Sequence, residues 1–77
     1  MTEQEWRDRF GAKLAALISA RGCTRREFAD EIGMSEKVID HYIHGRRTPT
    51  AVSLVNLASS LGYPIDKLVD FGDRIEK

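Results

Sequence analysis

The chain of 77 residues is short of most things that would assign it a chemistry. It has one cysteine, Cys23, which excludes an internal disulfide and fits a small apolar filler better than a nucleophile. Its apolar runs are only a few residues long, so no stretch can span a bilayer. The N-terminus is polar and acidic, without the pattern of a signal peptide, and a cytoplasmic protein is expected. Nor is there a charge of one sign: twelve Lys and Arg balance twelve Asp and Glu. A basic surplus that would neutralise a polyanion is therefore missing from the sum, and any such surface must come from how the charges are distributed. No segment alternates with period two over strand length, which predicts no sheet. At this length one domain is expected, over 1–77, near the lower limit for folding without staples.

Helix signals fill what remains. Thr2 and Glu5 form a capping box ahead of a helix from about Glu3 to Ala20, with Phe10, Leu14 and Leu17 as its apolar stripe, Trp6 one turn earlier and Ile18 beside it. Gly22 ends it. Thr24 and Glu27 form a second capping box, opening a helix that stops at Gly33. Ser35 caps a third helix from about Glu36 to Ile43 or His44, closed by Gly45. Arg46-Arg47-Thr48-Pro49-Thr50 reads as a loop, with Thr50 capping a fourth helix from about Ala51 to Leu61 that buries Leu54, Leu57, Ala58 and Leu61. Pro64 opens a short fifth helix to about Val69, and a polar tail of 71–77 follows a core of about 10–69. The expectation is a compact all-α domain of five helices.

The stretch Arg25 to Ile43 carries most of the functional information. Phe28 and Ile32 share one helix face, Ile39 and Tyr42 share the next, Ala29 is small where two short helices approach, and Gly33 can take the positive φ of the turn between them. This is the pattern of a helix-turn-helix. With Phe10-Gly11, Leu14, Leu17, Arg21-Gly22, Thr24, Phe28-Ala29, Ile32-Gly33-Met34-Ser35, Ile39, Gly45-Arg46-Arg47-Thr48-Pro49-Thr50, Leu57-Ala58 and Leu61-Gly62, the chain resembles the lambda repressor and Cro-like (XRE) family of DNA-binding domains from about Phe10 to Val69. The resemblance implies sequence-specific binding of double-stranded DNA, usually by a homodimer on a palindromic operator, in transcriptional control.

By matching position, the third helix would offer Glu36, Lys37, Val38, Asp40 and His41 to base edges. Lys37 suits guanine, Glu36 the cytosine amino group and Val38 a thymine methyl. Glu36 equally suits the helix dipole, and Asp40 can instead pair with Lys37. Phosphate contacts are expected from Arg25, Arg26, Ser35, His44, Arg46, Arg47 and Thr50, although capping already accounts for Ser35 and Thr50. His41 and His44 lie on one face, but no further ligands for a metal stand near them. No catalytic residue and no cofactor is expected: Asp40 and His41 splay apart, and so short a chain leaves little room for a pocket.

Two departures from the family bear on structure. Arg25 stands where the family usually has a glutamine that contacts phosphate, and arginine can take that role with added charge. Ile18 and Ile43 stand where the family often pairs a buried arginine with a glutamate. Both having become apolar together, the two are expected to touch. For pairing of two copies the resemblance points to about Ser59 to Phe71, and the surplus apolar residues Trp6, Val69 and Phe71 are the candidates. The competing expectation is that Trp6 stacks on Leu68 or Phe71 within one chain. Size suits a Cro-like or mobile-element repressor, a restriction-modification controller or an antitoxin, and the alternative class is a protein-interaction module that keeps the fold.

Overall fold

A computed structural model describes residues 1–72, 74 and 75, so the expectation of a polar tail over 71–77 lies outside the described residues at 73, 76 and 77. Five helices follow one another: α1 Glu3–Arg21, α2 Arg25–Ile32, α3 Glu36–Ile43, α4 Ala51–Leu61 and α5 Ile65–Val69. No strand longer than an isolated bridge residue occurs among the described residues.

The ends of the helices are set by local chemistry. Thr2 and Thr24 form complete capping boxes with Glu5 and Glu27. Ser35 Oγ accepts from the Val38 amide and Thr50 Oγ1 from the Ser53 amide. Each of these four hydroxyls satisfies a backbone N–H that has no intrahelical acceptor. Gly33 stops α2 with φ 71° and hands the chain to α3 through Ser35, which makes the turn of the helix-turn-helix. Pro64 differs slightly from expectation. It occupies the cap position in extended conformation, and α5 begins one residue later.

Burial sorts the apolar residues by helical spacing. Trp6, Phe10, Leu14 and Ile18 recur every four residues along α1 and are all buried. The stripe expected through Leu17 thus runs through Ile18 instead, with Leu17 half-buried at its edge. Phe28 and Ala29 of α2, Ile39 and Tyr42 of α3, Leu57 and Ala58 of α4 and Leu68 of α5 close the core. Leu54 and Leu61, expected to be buried, are only partly so. Ile18 and Ile43 both turn inward, Ile18 within the core and Ile43 half-buried against the same cluster.

Beyond the shared core, α1 holds the helix-turn-helix at both of its ends. Gly11 is buried where α1 crosses the end of α3, and a Cβ there would collide with the carbonyl oxygens of Ile43 and Tyr42. The two backbones therefore approach closer than any other residue type permits. At the far end of α1, Arg21 lies over the Phe28 ring, 5.8 Å from its centroid, and donates to Glu31 of α2 and to the Ser60 carbonyl of α4. One guanidinium thereby ties three helices.

Candidate nucleic-acid interface

The third helix presents two unlike faces. Ile39 and Tyr42 are buried, and Val38 and Ile43 are half-buried against the core cluster. Tyr42 reaches α4 through a hydrogen bond from its hydroxyl to Ser53 Oγ at 3.3 Å. Opposite them, Lys37, Asp40, His41 and His44 follow the spacing i, i+3, i+4, i+7 and form one outward stripe, with Glu36 at its N-terminal shoulder. Glu36, Lys37 and His44 are exposed, while Asp40 and His41 are half-buried. Val38, offered by the sequence as a base contact, has its side chain turned toward the core, because its position falls between the two faces.

The flanking arginines are placed differently from one another. Arg46 and Arg47 are exposed in the loop after α3. That loop leaves the helix through Gly45, with φ 68°, and the Arg46 amide donates back to the His41 carbonyl at 2.8 Å. Arg26 is exposed on α2. Arg25 is not an isolated charge: its guanidinium donates to Asp40 Oδ1 at 3.2 Å, joining the start of α2 to the middle of α3. Asp40 therefore pairs across the motif, not along its own helix to Lys37. The cause is geometric, since α2 and α3 pack together and bring the two residues within reach despite fifteen positions of sequence between them. Both side chains remain about two-fifths exposed, so solvent screens the pair and it contributes little to stability.

The residues singled out for pairing of two copies are largely occupied within the chain. Trp6 is buried, stacks on Phe10 at 5.1 Å, meets Phe71 edge-on at 6.0 Å and donates its indole N–H to the Val69 carbonyl at 2.9 Å. Of the two expectations for Trp6, the structure takes the intrachain one. Val69 and Phe71 are half-buried against the same cluster. Sequence reasoning passed over two exposed apolar residues of α4, Val52 at 70 % and Val55 at 53 %, which stand near Ile65, exposed at 41 % within the segment Ser59 to Phe71 expected to pair. Beside them Val55, Ala58, Ser59, Gly62, Tyr63 and Ile65 line an open depression of about 390 Å³ between α4 and α5. A signal for this surface was available: α4, Ala51–Leu61, has no ionisable side chain in a chain that is 31 % charged. Among the described residues no three His, Cys, Asp or Glu side chains converge as a metal site would require, and no helix is long and apolar enough to cross a membrane.

A core-facing and an outward-facing stripe on a short helix, locked behind a glycine turn, define a helix-turn-helix domain. The chain belongs to the helix-turn-helix family, whose model matches residues 14–68. It is 34 % identical over 59 residues, 77 % of each chain, to an uncharacterized HTH-type transcriptional regulator of Sinorhizobium fredii. Two solved structures share the fold. The restriction-modification controller protein C.AhdI of Aeromonas hydrophila superposes with a TM-score of 0.81 at 22 % identity, over 88 % of this chain and 99 % of that one. The clp gene regulator ClgR of C. glutamicum does so with a TM-score of 0.74 at 24 % identity, over 82 % of each. The family relationship makes the chain a DNA-binding transcriptional regulator by class.

Proposed function

We propose that the chain is a sequence-specific regulator that enters the major groove of double-stranded DNA with α3, and that it acts as a repressor of the phage or mobile-element type. The observation that carries this reading is the outward stripe Lys37, Asp40, His41 and His44 on a helix whose inner face is fixed by the core, with the exposed Arg46-Arg47 loop at its C-terminal end. Lys37 and Glu36 lie at the N-terminal end of α3, where side chains reach deepest into a groove. Arg46, Arg47 and Arg26 supply phosphate contacts, and Arg25 does so with the guanidinium N–H groups not given to Asp40. Ser35, His44 and Thr50 stand at helix ends beside this surface and add polar contacts to the backbone. The restriction-modification controller with the same fold fits a small regulator of this kind.

One recognition helix spans only a few base pairs, so the reading includes a homodimer on a palindromic operator. A second copy meets the first across α4 and α5, through Val52, Val55 and Ile65. The uncharged α4 supports self-pairing, because two copies related by a twofold axis bring no like charges together there.

Selection of bound duplexes from a random pool tests the reading: a palindromic motif is expected, and no enrichment would defeat it. In a salt titration with the selected duplex, affinity is expected to fall by orders of magnitude between about 50 and 200 mM salt. Arg46→Ala and Arg47→Ala are each expected to lower the slope of log K against log salt by about 1. The Arg25–Asp40 pair, which satisfies two of the charges inside the chain, favours a second reading, a protein-interaction module or antitoxin component with the same fold. Duplex affinity indifferent to salt would favour that alternative.

A further inference from the structure

Resting on the regulator reading, we propose that the first two turns of α1 are a brace that holds Arg46 and Arg47 in position for the DNA backbone, without touching DNA themselves. Four side chains of those turns converge on the loop after α3. Gln4 Nε2 donates to the Gly45 carbonyl at 2.9 Å and to Asp8 Oδ1 at 2.9 Å. Thr48 Oγ1 donates to Glu3 Oε1 at 3.2 Å, and the same carboxylate oxygen accepts from Arg7 at 3.0 Å. Arg7 also donates to Gln4 Oε1 at 2.7 Å and to Thr48 Oγ1 at 3.4 Å. The two arginines are thus bracketed, with the carbonyl just before Arg46 and the hydroxyl just after Arg47 both tied to a helix more than forty positions away in sequence.

The rest of the loop is held as well. Gly45 is buried against Asp8, Pro49 is buried, and the Arg46 amide is bonded to His41. The side chains of Arg46, Arg47, Thr48 and Thr50 are left at the surface. A loop ordered before binding spares the conformational entropy that a free loop loses on meeting its ligand, and this raises affinity with no added contact. Gln4, Glu3, Arg7 and Thr48 are positioning residues in this sense. Their hydrogen bonds run to one another and to the loop, with Arg7 Nε the one buried donor left without a partner among the described residues.

The test pairs Gln4→Ala and Thr48→Val with the Arg46→Ala/Arg47→Ala background. Circular dichroism and Tm first establish that each variant folds. In the otherwise unaltered chain, Gln4→Ala with Thr48→Val is expected to weaken binding of the selected duplex by about tenfold, and by less than about twofold once both arginines are gone, because coupled residues are not additive. Thr48→Ser, which keeps the hydroxyl, is expected to bind as the unaltered chain does. Without DNA, amide exchange at Arg46 and Arg47 is expected to quicken in Gln4→Ala. An equal loss of affinity in both backgrounds would assign these residues a direct contact or a general effect on the fold and overturn the brace. Duplex binding that Gln4→Ala leaves unchanged would overturn the brace alone, whereas a chain that binds no duplex at all would overturn the regulator reading as well.

Discussion

Where α1 crosses the end of α3 the two backbones press together through Gly11, and where α4 meets α5 a depression stays open between apolar side chains that face solvent. The first contact is short, made of main-chain atoms and fixed by the absence of a Cβ. The second is made of side chains and has space to spare. A helix that must hold one angle to a duplex needs the first kind of seam, because any tilt of α3 moves Lys37 and the Arg46-Arg47 loop together. A surface that is to receive a second copy suits the second kind, because Val52, Val55 and Ile65 leave apolar area exposed to solvent there. The molecule therefore has a closed seam on one side and an open one on the other, which is the division of work that the proposed function calls for.

Gly11→Ala is the harshest way to break that division. Alanine is the better helix former by about 1 kcal/mol, so local propensity alone would make the variant more stable. The collision with the Ile43 and Tyr42 carbonyls is expected to prevail, lowering stability by about 2–3 kcal/mol and Tm by roughly 10–20 °C in a thermal melt. A variant that melts at or above the parent would show that the seam yields. Val55→Lys attacks the open side. It is expected to weaken self-association in sedimentation by at least about tenfold while leaving the stability of the isolated chain within about 0.5 kcal/mol. If sedimentation is unchanged, pairing does not use this face.

The smallest expected effect sharpens the comparison from the edge of the motif. The Thr24 backbone amide, and then its hydroxyl, hold the Glu27 carboxyl below the ordinary glutamate value, and Thr2 does the same to Glu5. A carboxyl whose folded value is depressed adds stability that is present above its unfolded value and is lost as pH falls through the folded one. Glu27→Gln is therefore expected to melt no more than a few degrees below the parent at pH 7, with the gap closing below about pH 4. A gap that persists at acid pH would point to packing, not charge.

How much of this was legible in the sequence depends on the range of the interaction. Both capping boxes, the Ser35 and Thr50 caps and the glycine stops act within four residues, and each helix boundary read from them lies within a residue or so of the observed one. The stripe on α1 was read through Leu17 where burial follows Ile18, since the two are adjacent and only the packing of the other helices on α1 chooses between them. Gly11 stood in the motif, but its partner is a carbonyl of α3, and nothing local identifies it. The Arg25–Asp40 pair and the bonds from Gln4 and Glu3 to the loop join residues separated by fifteen to forty-five positions. Spacing rules say nothing at such distances. Trp6 and Phe71 looked surplus to a five-helix core because the segment after α5 was read as a polar tail. Once Phe71 folds back on Trp6, both belong to the core's edge.

That last arrangement gives the molecule an optical reporter of its own. Trp6 is the one tryptophan in the chain, and it touches Phe10 of the first helix, Phe71 beyond the last, and the carbonyl of Val69 between them. The N-terminal ammonium in turn donates to the Arg74 carbonyl at 3.0 Å. Emission from this single ring is therefore expected to register separation of the first helix from the segment that follows the last, without any label.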